Sequence, residues 1–181
     1  RCDQRVASMI EAGGGRLLRG SSAFEDVVKT ICTINTSWSN TQSMVRRLTK
    51  LSTVGTFPSP SEILTVGADG LRREAHVGYR ADTIMTVAKL AHEETLGDVD
   101  IYRLAGLRGL GPYATAHISV LRGDYSVIPV DSEVRSYCFK HFGMRQPDTD
   151  TVHEHFSAWG SYRFLGYKLG RMASSINWIG E

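Results

Sequence analysis

At 181 residues, 41% of them apolar, the chain is long enough to bury the core of one compact domain or of two small lobes that share one. A net charge of +2 excludes a generally cationic, polyanion-coating protein, so any nucleic-acid surface must come from local clusters such as Arg72-Arg73, Arg103, Arg108 and Lys168 with Arg171. No run is apolar enough to span a membrane, and three scattered cysteines (Cys2, Cys32, Cys138) offer neither a disulfide framework nor metal-ligand spacing, which points to a reducing compartment.

Helical periodicity runs along the chain and no segment shows sustained apolar-polar alternation, so the expected fold class is all-α. The first helix is expected over residues 4–12, with no secretory leader ahead of it, and the abrupt start at Arg1 suggests residues upstream. Ser22-Ala23-Phe24-Glu25 and Ser59-Pro60-Ser61-Glu62 both read as capping boxes, placing helices over 24–32 and 60–66. Between and after them the pattern predicts helices over 41–51, 71–73, 81–93 and 101–107. Four more follow over 112–122, 132–142, 149–158 and 162–176. Pro58, Pro60 and the stretch 143–148 mark turns rather than linkers. His153 and His155 stand two apart on a helix and so point away from each other, which argues against a shared metal.

The segment Leu107-Arg108-Gly109-Leu110-Gly111-Pro112-Tyr113, followed by Ile128-Pro129-Val130-Asp131, carries the most chemistry. Gly109 and Gly111 permit positive φ and close backbone approach, so the ends of two helices can turn their amides toward a phosphate, with Arg108 beside them. Pro112 suits the first turn of the second helix. Asp131, read alone, is an ordinary helix N-cap ahead of Ser132.

This grammar resembles the helix-hairpin-helix (HhH-GPD) DNA glycosylase superfamily. The likeness extends over about residues 17–171 and is strongest to its 3-methyladenine DNA glycosylase II and 8-oxoguanine DNA glycosylase branches. It implies a two-lobed all-α fold, a single core over 1–181 with the hairpin at about 101–122, and an active site in the interlobe cleft. It assigns Asp131 as the catalytic carboxylate, a role compatible with capping. Tyr113 stands where bifunctional members carry a Schiff-base lysine, so hydrolysis without strand cleavage is expected, with a tyrosine packed between helices as the lesser alternative. Tyr113, His117 and Tyr167 match base-pocket positions, against the alternative of ordinary core packing. Asn35, in the polar stretch 32–40, matches the residue that plugs the gap left by a flipped base. In Gly78-Tyr79-Arg80-Ala81, Tyr79 matches a wedge and Arg80 a contact to the estranged base, or else a phosphate ligand. Asn40 replaces a second arginine on that strand, and Glu133 replaces a histidine two residues after the aspartate.

The resemblance further implies phosphate binding by Arg108, Gly109, Leu110 and Gly111, and a weak K+ or Na+ ion on the carbonyls of Leu107 and Gly109. The iron–sulfur cluster of some relatives needs four close cysteines, which this chain lacks. The expected partner is double-stranded DNA containing a damaged base, bound by a monomer, with no membrane role and with residence in the nucleoid of a bacterium or the nucleus of a eukaryote. Alkylated purines are the first-choice substrate. Deaminated or mismatched pyrimidines (U or T opposite G), or oxidised bases, are the alternative, and a non-catalytic DNA-binding module is the alternative of another class.

Overall fold

The computed structural model describes residues 4–93, 104 and 106–175. Nine α-helices order the described chain: α1 (Gln4–Glu11), α2 (Ala23–Thr33), α3 (Trp38–Thr49), α4 (Pro60–Gly70), α5 (Arg80–Glu93), α6 (Pro112–Leu121), α7 (Ser132–Phe142), α8 (Thr149–His155) and α9 (Arg163–Ser175). A π-helical turn, Leu71–Ala75, follows α4, and a 3-10 segment, Ser157–Tyr162, precedes α9. Among the described residues there is no strand, and the fold is all-α as expected. Of the helix expected over 101–107, residues 101–103 and 105 lie outside the described residues, as do Arg103, Cys2 and the end of the last helix at Ile176.

The chain forms two compact units, one continuous from Arg19 to Ile118 and one assembled from Arg1–Leu18 and Ser119–Glu181. In the continuous unit, α2 presents Val27, Val28 and Ile31 at helical spacing to a buried cluster that includes Leu48, Ile63 and Ile84. Side chains of this size each stabilise the fold by roughly 1.5–3 kcal/mol when fully withdrawn from water. In the unit assembled from both ends, Ile128, Val134, Cys138, Val152 and Phe156 are buried together, and α1, whose Val6 and Met9 are buried, packs against α9.

Local chemistry explains the helix ends. Ser59 and Glu62 close a complete capping box at α4, the serine hydroxyl accepting the Glu62 N–H at 3.2 Å and the carboxylate accepting the Ser59 N–H at 2.8 Å. At α2 only half of the expected box forms. Ser22 accepts the Glu25 N–H, but the Glu25 carboxylate takes the N–H and hydroxyl of Ser21 instead, one residue upstream. Helix α3 starts three residues before the expected position because Ser37 caps it through the Asn40 N–H, and its first residue, Trp38, is exposed and adds no apolar period. The α4 pattern was expected to stop at Val66, and Gly67 breaks helical geometry there at φ 71°, after which a second helical stretch continues through Gly70.

Candidate functional site

The hairpin turn lies in the continuous unit. Leu107 and Leu110 N–H groups donate to the carbonyls of Leu104 and Leu107, each at 3.0 Å, closing two tight turns before α6. Leu104 and Leu110 are buried and anchor these turns to the core, while Arg108, Gly109 and Gly111 are exposed. Gly109 has φ 94°, and a Cβ there would sit 2.8 Å from Thr83 Oγ1, whose hydroxyl donates to the Arg108 carbonyl at 2.9 Å. A side chain at 109 is therefore excluded both by backbone conformation and by α5 behind it. A Cβ at Gly111 would meet nothing within 4 Å, so that position is open toward solvent. The Gly111 carbonyl accepts the Thr115 N–H and hydroxyl, which fixes the first turn of α6.

On α6, Tyr113 and His117 stand one turn apart with their rings stacked, centroids 5.9 Å apart and planes 17° from parallel. Both are half-buried, and Tyr113 also packs on the core beneath it.

In the same unit Arg80 contacts both the loop at Asn35 and the ring of Tyr79. Its guanidinium donates to the Ile34 carbonyl and lies 3.5 Å from the carbonyls of Asn35 and Val77, while its carbon atom sits 4.6 Å from the centre of the Tyr79 ring. Arg80 is buried, 8% exposed, and its Nε has no hydrogen-bond partner among the described residues. It thus occupies an interior position beneath the loop. Asn35, in contrast, is exposed with φ 47°, a left-handed conformation that asparagine tolerates, and Tyr79 is 61% exposed. Asn40 is exposed on the first turn of α3. Beneath this surface Cys32 is fully buried, and burial pushes its thiol up to about 12 against the opposing charge of Arg80.

In the other unit Asp131 is the N-cap of α7, its Oδ1 accepting the Val134 N–H at 2.8 Å. The extended stretch leading to it is held by His153 on α8, whose Nε2 lies 2.9 Å from the Ile128 nitrogen and 3.1 Å from the Ile128 oxygen. In the tautomer protonated at Nδ1, that nitrogen accepts the Ile128 N–H. Nothing local in the sequence marks His153 for this place, since 25 residues separate the pair. The start of α9 adds a second tie, with Arg163 donating to the Ser126 carbonyl at 3.2 Å and the Phe164 N–H to the Tyr125 carbonyl at 3.0 Å.

Glu133, exposed on the first turn of α7, pairs with Arg171 of α9, and Arg171 reaches the Tyr167 hydroxyl at 3.5 Å. Burial raises the Tyr167 phenol above the usual tyrosine range. Arg171 opposes that shift, and the carboxylates of Asp131 and Glu133 reinforce it, so the hydroxyl stays protonated at neutral pH. Tyr167 is nearly buried and meets Tyr137 edge-on at 5.5 Å. Among the described residues no group of three His, Cys, Asp or Glu side chains could hold a metal ion.

No family model matches the sequence, and no curated protein does either. The fold is nevertheless the helix-hairpin-helix glycosylase fold of several solved structures. A Schizosaccharomyces pombe 3-methyladenine DNA glycosylase, solved in complex with abasic DNA, is similar at a TM-score of 0.71 and 16% identity over 99% of this chain and 96% of that one. A 3-methyladenine DNA glycosylase from Archaeoglobus fulgidus is similar at 0.69 and 17% identity over 95% of this chain and 66% of that one. A Clostridium acetobutylicum 8-oxoguanine glycosylase/lyase, bound to duplex DNA with cytosine opposite 8-oxoguanine, is similar at 0.70 and 17% identity over 96% and 68%.

Proposed function

We propose that the protein is a base-excision DNA glycosylase that hydrolyses the N-glycosidic bond of a damaged base without cleaving the strand. The observation that carries the reading is the arrangement of an exposed hairpin, turned at Gly109 and anchored through Leu110 and Thr83, followed in the chain by an N-capping Asp131, within the glycosylase fold. Arg108 and the exposed main chain at Gly109 and Gly111 would take phosphates of the duplex backbone, a contact that holds DNA without reading sequence.

Reaching the bond requires rotating the nucleotide out of the stack. Asn35 and Tyr79, both exposed and tied into one surface by Arg80, suit the vacated space, while Arg80 itself acts beneath them as a positioning residue. As the C1′–N bond breaks, electron density leaves with the base and the sugar becomes oxocarbenium-like. Asp131 provides a fixed negative charge for that state, and water attacks C1′ and passes its proton to the Asp131 carboxylate. With tyrosine at 113, the hairpin offers no amine to form an imine with the sugar. The stacked Tyr113–His117 pair supports alkylated purines as substrates, because an electron-poor cationic base gains most from aromatic faces and leaves most readily. A monovalent cation would be held by the carbonyls of Leu107 and Gly109. Such oxygens suit it chemically, and the Leu107 carbonyl keeps one lone pair beyond its bond to the Leu110 N–H.

A panel of end-labelled duplexes carrying methylated purines, uracil or thymine opposite guanine, and 8-oxoguanine tests the reading when run with and without alkali. Strand breaks that appear only after alkali, greatest for methylated purines, are expected. Absence of excision on every duplex, with DNA still bound, would leave a non-catalytic DNA-binding protein.

A further inference from the structure

Helix α3 places Ser43, Arg46, Arg47 and Lys50 at i, i+3, i+4 and i+7, on one face. This is the polar face of α3, opposite the buried Thr41, Met44 and Leu48, and three of its four residues are cations. The face lines a cavity of about 570 Å³ whose remaining wall includes Arg73 and Glu74 from the π-helical turn. Four cations therefore meet one carboxylate, and Glu74 is already paired with Arg73 at 3.0 Å. Among the described residues no carboxylate pairs with Arg46, Arg47 or Lys50. The local excess is larger than the net charge of +2 carried by the whole chain. Cations near a helix C-terminus complement its dipole, but Arg46 and Lys50 at i and i+4 repel each other, and the dipole does not account for a fourth cation converging from another element.

We propose that this cavity is a second phosphate-binding surface, taking the sugar–phosphate backbone of duplex DNA at a place distinct from the hairpin. The choice of DNA rests on the glycosylase reading. The lining of the cavity favours backbone over a free nucleotide, because it holds no aromatic ring on which a base could stack. The patch also adjoins the wedge: Arg47 Nη1 lies 3.3 Å from His76 Nε2, and three residues further along the chain is Tyr79. Backbone held here would sit on the same unit that carries the exposed Asn35 and Tyr79.

The test is a salt titration of binding to an undamaged duplex, comparing the full chain with the double variant Arg46→Gln/Lys50→Gln, both sites being exposed. Losing two phosphate contacts should make the slope of log affinity against log salt less negative by about 2, equivalent to a roughly tenfold smaller drop in affinity between about 50 and about 200 mM salt. Arg46→Lys/Lys50→Arg should keep the parent slope. An unchanged slope in the glutamine variant, with the parent binding duplex normally, overturns the proposal and leaves the glycosylase reading intact. If the parent binds no duplex at all, that reading falls together with this one. A loss confined to anionic phosphatidylserine vesicles, with duplex binding unaffected, would also overturn it, in favour of a membrane surface.

Discussion

Asp131 caps α7, and in the proposed chemistry it also meets the positive charge of the transition state; different substitutions separate the two. Its Oδ1 accepts the Val134 N–H at 2.8 Å, and as a cap it is worth about 1 kcal/mol against alanine and almost nothing against asparagine. In a chain of this length a loss of 1 kcal/mol lowers Tm by about 2–4 °C. It removes about a fivefold factor from a folding equilibrium that typically stands at 5–15 kcal/mol, so the folded fraction hardly changes. A carboxylate that meets positive charge only in the transition state behaves differently, and its removal should cost roughly 10²–10³-fold in rate, about 2.7–4 kcal/mol. Asp131→Asn is thus expected to keep Tm and DNA affinity and to lose at least about a hundredfold in single-turnover excision. Asp131→Ala should lose the same rate and, in addition, the few degrees of Tm. Measuring excision, a binding titration and thermal unfolding on the two variants decides the matter. If Asp131→Asn excises every lesion at near-parent rate, the residue is a cap and nothing more, and the proposed chemistry is wrong.

Gly109→Ala should destabilise the protein by about 1–3 kcal/mol in denaturant titration, because of its φ of 94° and the contact with Thr83, whereas Gly111→Ala should leave stability within about 0.5 kcal/mol and weaken binding to all duplexes alike. Arg80→Ala should lower stability by about 2–3 kcal/mol, since it strips charged hydrogen bonds from the loop carbonyls, and a surface position would show almost no change. His153→Phe should reduce the excision rate at saturating DNA while leaving affinity for plain duplex unchanged, and His153→Gln, which keeps an acceptor for the Ile128 N–H, should recover part of that rate. Glu62 is held down to about 2 by the N–H groups of Thr53 and Ser59, so its contribution to stability is present above the ordinary carboxylate range and fades as pH falls from about 4.5 toward 2. Acid unfolding of Glu62→Gln should therefore lack part of the parent's stability change in that window.

The helices were legible because capping and periodicity are local. Ser132–Phe142 was readable to the residue, since Asp131 announces its start and Gly143 its end in a left-handed conformation at φ 69°. The turn at Gly109 and the start of α6 at Pro112 were legible for the same reason, being written in glycines and a proline that few other backbones need. What the sequence could not supply was the environment of each polar side chain. Arg80 looks in sequence like a surface arginine beside an exposed tyrosine, and only the fold shows its guanidinium turned inward to the Ile34 and Asn35 carbonyls. His153 likewise carries no local mark of its bond to Ile128, and the early start of α3 rests on a serine cap followed by an exposed tryptophan. Each of these depends on a partner distant in sequence or on a helix turn with no apolar face.

One unit of this protein is continuous while the other closes only when the two ends of the chain meet, with α1 against α9. During synthesis, the stretch Arg19–Ile118 can complete its core well before the ribosome has released Arg163–Ser175. The nascent chain therefore completes the turn at Gly109 before the scaffold of Asp131 exists. Closing the second unit joins elements at opposite ends of the sequence, the kind of long-range contact that forms slowly. On the proposed function, a newly made molecule passes through a stage in which it holds DNA and does not yet excise a base.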